Sequence, residues 1–307
     1  SWSPDGTRVV YSRFTSKYEP GVRPLWSRNE KYRLFAAGYM GSYAPDGSRF
    51  AVLMFEPNHM SALGIAEDGK PEKPILERKG LILAPQWSPD GQRIAFGTGD
   101  FTGFGKNSAA GVDGGAQIGV VHADGSDFHL ITSGPNNNAF PSYSPDGKRI
   151  VYRTAGPNGE GLRIMTLSDR TVSTLTNAYD NFPNWSRRGD LIVFMREIDG
   201  NFEIFTIRPD GTGLKQLTDC RCNEAHPAWS PDGERIVFTS SRMGFKDEAL
   251  LTGDPQPYGE IFVMDKDGTH LEQLTDNQWE DGAPTWRPHR SSAMRKSRFA
   301  SEQSPDR

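Results

Sequence analysis

One five-residue phrase recurs along the chain and limits what it can fold into. It reads Trp2-Ser-Pro-Asp-Gly, Tyr43-Ala-Pro-Asp-Gly, Trp87-Ser-Pro-Asp-Gly, Tyr143-Ser-Pro-Asp-Gly, Trp185-Ser-Arg-Arg-Gly and Trp229-Ser-Pro-Asp-Gly, with a broken last copy at Trp286-Arg-Pro-His. Successive aromatics of the phrase are 41, 44, 56, 42, 44 and 57 residues apart. Pro presets φ for the first corner of a turn, Asp bonds its own backbone and Gly accepts positive φ, so each copy should close a hairpin. A β-rich run follows most copies: Arg8-Val-Val-Tyr, Arg93-Ile-Ala-Phe, Arg149-Ile-Val-Tyr, Leu191-Ile-Val-Phe and Arg235-Ile-Val-Phe. Further on, Ile118-Gly-Val-Val, Ile204-Phe-Thr-Ile and Ile261-Phe-Val-Met run into Asp124-Gly125, Asp210-Gly211 and Asp267-Gly268, a dipeptide favoured in primed hairpin turns. A short strand ending at Ile131-Thr132, Leu175-Thr176, Leu217-Thr218 or Leu274-Thr275 completes four strands per repeat.

A single four-stranded sheet cannot cover both of its faces, whereas sheets arranged radially cover one another and leave only short edges. The repeat length fits such a blade and lacks the 3.6-residue period of a helical solenoid. The expected fold is all-β: a six-bladed β-propeller of four-stranded antiparallel blades. With 307 residues the core needs no disulfide staples, and no run approaches the roughly 18 apolar residues of a membrane helix. The formal charge is −4, although residues 289–307 carry five Lys/Arg against Glu302 and Asp306. The body is therefore mildly acidic, which argues against a nucleic-acid footprint.

Together, Trp-Ser-Pro-Asp-Gly-x-Arg-Ile-(Val/Ala)-Phe, the Ile-Phe-Val-Met-x-x-Asp-Gly phrase and the Leu-Thr resemble the WD40-like repeats of TolB-type propellers over residues 1 to about 288. Arg187-Arg188 and Arg287-Pro288-His289 depart from the pattern. The resemblance implies an exported, periplasmic protein of the bacterial envelope that serves as a platform for a protein or peptide partner. Related repeats also gate some peptidases and resemble those of oligogalacturonate lyase, and fold alone does not choose among these. The expected domain is residues 1–288. Its first blade begins upstream of Trp2 and is closed by residues 282–287, while 289–307 form a solvated basic tail.

In a four-strand antiparallel blade, the Pro-Asp-Gly and Asp-Gly turns share one face. The second turn and the link to the next blade share the other. The second turn spans eight residues in repeats two, four and five (53–60, 153–160 and 195–202). It expands to 97–116 in repeat three and 239–259 in repeat six. Loops of this length are usually functional. Phe101 and Phe104 in the first, and Phe245, Lys246 and Tyr258 in the second, are candidate binding residues, with local packing as the alternative role.

Five residues before the motif aromatic stand Asn138, Asp180, Glu224 and Asp281, with His226 close by. They read as an acidic crescent at the same mouth, suited to a basic or amide-rich partner, or as groups that satisfy their own strands. Cys220, Cys222, Glu224 and His226 alternate as zinc ligands might on a strand, but the spacing is not that of a paired-cysteine site. No metal and no cofactor is assigned, and Cys220 and Cys222 are expected as thiols or as a local disulfide. Gly-x-Ser-x-Gly and His-Glu-x-x-His are missing, so no catalytic residue is assigned. The alternatives are a metal-assisted polysaccharide lyase or hydrolase using Asp180, Glu224, His226 and Asp281, and the gating propeller of a larger peptidase.

Overall fold

The computed structural model describes residues 8–14, 23–25, 33–36, 39–56, 60–67, 73–99, 115–244, 259–276 and 280–286. Its first three strands are β1 (Arg8–Phe14), β2 (Arg23–Leu25) and β3 (Arg33–Ala36). Five consecutive antiparallel sheets follow. They are β4–β7 (Tyr39–Tyr43, Arg49–Glu56, Met60–Glu67, Lys73–Lys79) and β8–β11 (Leu81–Trp87, Arg93–Gly99, Gln117–His122, His129–Leu130). Next come β12–β15 (Asn137–Tyr143, Arg149–Ala155, Gly161–Thr166, Val172–Thr174) and β16–β19 (Asp180–Trp185, Ile192–Ile198, Asn201–Ile207, Lys215–Gln216). The fifth is β20–β23 (Glu224–Trp229, Arg235–Ser240, Glu260–Asp265, Glu272–Gln273), and β24 (Glu280–Trp286) ends the series.

The expectation of six antiparallel blades is therefore corrected to five. The remaining four strands form a mixed sheet in the order β2-β3-β1-β24, in which β1 pairs antiparallel with β24 but parallel with β3. The difference lies in the first repeat, where β1 is not joined to its neighbour by a short turn: β2 intervenes in sequence before β3, the strand that pairs with β1. Without a tight hairpin the strand beside β1 is reached by a crossover, which is the connection a parallel pair requires. The first strands of the five blades and β24 contact one another in the cyclic order β4, β8, β12, β16, β20, β24, and β24 returns to β4.

Each described Ser-Pro-Asp-Gly turn is built as its chemistry dictates. In β8–β9, Gly91 (φ 69°) donates its N–H to the Ser88 carbonyl, and the Ser88 hydroxyl accepts from Arg93 N and donates to Asp90. Asp90 also accepts from Gln92 N. The same bonds recur at Ser144 and Asp146 and at Ser230 and Asp232. Where Arg187-Arg188 replaces Pro-Asp, Asp190 takes over the role and accepts from Ser186 at 2.7 Å. The Asp-Gly turns differ from the primed type expected. Gly125 N donates to His122 O and His122 N to Ser126 O, with only the glycine at positive φ, and the pattern repeats at Gly211 and Gly268. This is a type I turn followed by a left-handed glycine, a three-residue loop that tolerates negative φ at the Asp.

Between blades lie apolar wedges. Phe96, Phe194 and Phe238, the fourth residues of equivalent second-strand runs, are completely buried. Ala95, Ile118, Val120 and Ile131 pack on Tyr143, Ile150, Tyr152 and Met165 of the next blade. The motif tryptophans carry the stitching outward: Trp87 Nε1 donates to Ser42 O and Trp286 Nε1 to Ala228 O. Arg49, Arg149 and Arg235 stack on Trp87, Trp185 and Trp286 of the following sheet at 4.6, 4.8 and 5.4 Å. The Leu-Thr phrase, or its Ile-Thr variant, closes the outer edge of four of the five blades. The hydroxyls of Thr132, Thr176, Thr218 and Thr275 accept from the N–H of Ile118, Leu162, Ile204 and Ile261. Three of them donate onward, to Gln117, Glu203 and Glu260.

Candidate functional site

The ring has two unlike ends. At one, the Pro-Asp-Gly and Asp-Gly turns gather. At the other, inner strands begin and the β9–β10 and β21–β22 connections emerge, as the pairing of Thr98 with Gln117 and of Ser240 with Glu260 requires. Each long connection returns through a candidate residue of the next sheet. Asn138 N donates to Ala116 O at 2.7 Å, while Asp281 and Gly259 exchange both backbone bonds. Phe101, Phe104, Phe245, Lys246 and Tyr258 lie outside the described residues.

The polar crescent is assembled but sealed. Asn138, Asp180, Glu224 and Asp281 are all buried. Asp180 receives a bidentate pair from Arg196, Nε to Oδ1 at 2.6 Å and Nη2 to Oδ2 at 2.8 Å. Asn138 donates to Gln117 Oε1 at 2.9 Å. Glu224 Oε1 accepts from Ser240 at 2.9 Å and Arg242 at 2.7 Å, while Oε2 is buried without a partner among the described residues. Burial raises the Glu224 carboxyl to about 7 against the opposing pull of Arg242. The sequence reading did not foresee that Arg196, on β17, and Arg242, in the turn just past β21, pair with Asp180 and Glu224, so that these two crescent carboxylates are matched by cations. It also missed Arg153, whose guanidinium lies 5.3 Å from the Phe140 ring and whose pKa is lowered to about 10 by burial. Their spacing of ten to thirteen residues after the motif aromatic was the available signal.

Cys220 and Cys222 are joined by a disulfide, and both sulfurs lie beside Glu224 Oε1, at 3.2 and 3.1 Å. Three of the four alternating residues therefore meet, but oxidised sulfurs offer no thiolate to a cation. His226 does not join them. It lies in the channel wall, not at the mouth, because five of the six inner strands, β20 among them, carry a residue of positive φ followed by proline: Ala84 (49°), Phe140 (56°), Phe182 (48°), His226 (53°) and Ala283 (46°). These residues and Gly41 line a throat of about 70 Å³. Phe140 stacks on Phe182 with centroids 3.8 Å apart, and His226 meets Phe182 edge-on at 4.4 Å. Loss of hydration lowers the His226 pKa to about 4, so the ring is neutral near pH 7.

The family profile described as the TolB beta propeller domain matches residues 1–199 and 118–247. The chain belongs to the TolB β-propeller family. A TolB homologue of Chlorobium luteolum is 30% identical over 122 residues, which is 39% of this chain and 28% of the homologue, so the match spans under a third of that protein. An uncharacterized protein of Agrobacterium fabrum is 26% identical over 278 residues, 87% of this chain and 85% of its own length. The crystal structure of TolB from Acinetobacter baumannii superposes with a TM-score of 0.56 at 22% identity, covering 80% of this chain and 67% of that one. At that identity the structural likeness of this TolB-family propeller is one of fold.

Proposed function

We propose that this TolB-family propeller is a non-catalytic platform of the bacterial envelope that holds a protein or peptide partner at the mouth bordered by residues 97–116 and 239–259. The observation that carries the reading is the shared end of the two long connections, each fastened to the next inner strand through Asn138 or Asp281. A rigid ring that fixes two extended connections around one opening suits recognition. Two of the three carboxylates that a metal-assisted lyase would need are committed to arginines, which favours binding over catalysis: Arg196 occupies both oxygens of Asp180, and Arg242 one of Glu224. Among the described residues, no helix is long and apolar enough to cross a membrane.

The test replaces residues 100–114 and 245–257 with short turns. The variant is expected to keep its cooperative melt and to lose capture of the partner that the parent chain retains from an envelope extract. Undiminished capture by a folded variant would overturn the assignment of the mouth.

A further inference from the structure

The opposite end of the channel holds a second depression that the proposed partner site does not use. It opens between the Pro-Asp-Gly turns, encloses about 340 Å³ and narrows towards the Phe140, Phe182 and His226 throat. That volume falls in the range of small-ligand pockets. Its wall is a repeat pattern seen from inside. A rim of prolines (Pro45, Pro89, Pro145 and Pro231) surrounds a band of tyrosines and tryptophans, and below them Ser42, Gln86, Ser142, Asn184 and Thr285 supply neutral hydrogen-bonding groups.

One position breaks the pattern. At the site of the rim proline, repeat five carries Arg187, the only charged side chain among the described residues of the wall. Arg187 makes no ion pair or side-chain hydrogen bond with any described residue, unlike Arg188 beside it, which pairs with Glu234 on the outer surface. The Arg187 side chain is exposed, and the desolvation by the protein around it acts only to draw its pKa below the usual arginine value. A guanidinium held so stays charged and presents a planar fork of donors that matches a carboxylate. Two buried groups of wall residues, Ser42 Oγ and Trp229 Nε1, have no hydrogen-bond partner among the described residues. Deeper in, the apolar floor offers contact to a hydrocarbon or ring but no charge.

We propose that this funnel binds a carboxylate carried on an apolar or aromatic body, with the carboxylate on Arg187, an amide or similar group against the polar band, and the apolar part directed to the throat. A peptide's free carboxyl terminus and a small aromatic acid share this chemistry. The proposal does not rest on the partner site at the other mouth, and shortening residues 100–114 and 245–257 should leave it intact.

Calorimetric titration, with the quenching of tryptophan fluorescence as a second readout, tests it on the full chain. The probes are N-acetylphenylalanine, its carboxamide and phenylacetate. The acid is expected to bind and the carboxamide to bind at least roughly tenfold more weakly, as loss of a charge-assisted bidentate pair implies. A stronger response to N-acetylphenylalanine than to phenylacetate would identify a peptide end, and the reverse a small acid. Arg187→Pro restores the residue that the six other copies of the phrase carry at this place and breaks no backbone hydrogen bond among the described residues, so it should fold and lose the preference for the acid. Arg187→Gln serves the same purpose should the proline variant melt early, and Arg187→Lys should retain part of the affinity. Absence of binding by both acids at millimolar concentration, equal binding of acid and carboxamide, or unchanged affinity in folded Arg187→Pro or Arg187→Gln would each overturn the proposal.

Discussion

At the scale of single residues, the channel side of the propeller is governed by two titrating groups whose contributions run in opposite directions. Glu224 has its folded-state pKa raised to about 7 from 4.5, chiefly by burial. Between those values the folded chain keeps a proton that the unfolded chain has released, so this residue's contribution to stability falls as pH rises through the interval. Glu224→Gln should therefore gain melting temperature relative to the parent from pH 5 to pH 8, and parallel pH curves for the two would contradict it. His226 has its folded value lowered to about 4 from 6.5. Between those values the unfolded chain is protonated and the folded one is not, so stability is lost on acidification through that window. His226→Phe, which copies Phe140 and Phe182 at equivalent bulges, should melt like the parent at pH 7.5 and above it by roughly a few degrees at pH 5. An equal loss in parent and variant between pH 7.5 and pH 5 would show that His226 is not the acid-sensitive group.

At the scale of the element, the hairpins divide according to how local their determinants are. The Ser-Pro-Asp-Gly turn was legible because every bond that defines it joins residues at most five apart, as between Ser88 and Arg93. The same locality let Asp190 substitute silently in repeat five, where the sequence showed only that Pro and Asp were missing. The Asp-Gly turns were legible in place but not in type, since the dipeptide serves both a primed turn and a type I turn with a left-handed glycine; the flanking pairing, Arg208 N to Thr212 O for instance, decides. The threonines of the Leu-Thr phrase depend on partners about fifteen residues away, and their role was not readable. Thr218→Val would leave Ile204 N–H and Glu203 short of a partner in a buried setting and should cost about 1–3 kcal/mol in denaturant unfolding. A loss under about 0.5 kcal/mol would mean that the outer edge is not sealed by this bond.

At the scale of the whole molecule, the number of repeats did not dictate the number of antiparallel blades. Sequence periodicity records the turns and inner strands, which is why β24 could be expected at Trp286. The pairing of β1 with β3 is long-range and parallel, set by a stretch that carries no repeat phrase. The crescent illustrates the same limit: its positions were readable, but the pairing of Asp180 and Glu224 with Arg196 and Arg242 comes from the neighbouring strand or its following turn. Because β24 pairs with β1, and Trp286 both donates to Ala228 O and carries Arg235 on its ring, removing residues 280–307 should lower the melting temperature by roughly 10 °C or more. An unchanged melt would show that the ring does not depend on that strand.

The central claim is that the end bearing the long connections, and not the turn end, meets the partner. A photo-reactive benzoylphenylalanine placed at Met243, exposed at the start of the second long connection, or at Asp210 in a turn of the opposite end, measures this directly. Irradiation in envelope extract should yield a discrete protein adduct from position 243 and none from position 210. An adduct formed from position 210 alone would contradict the account.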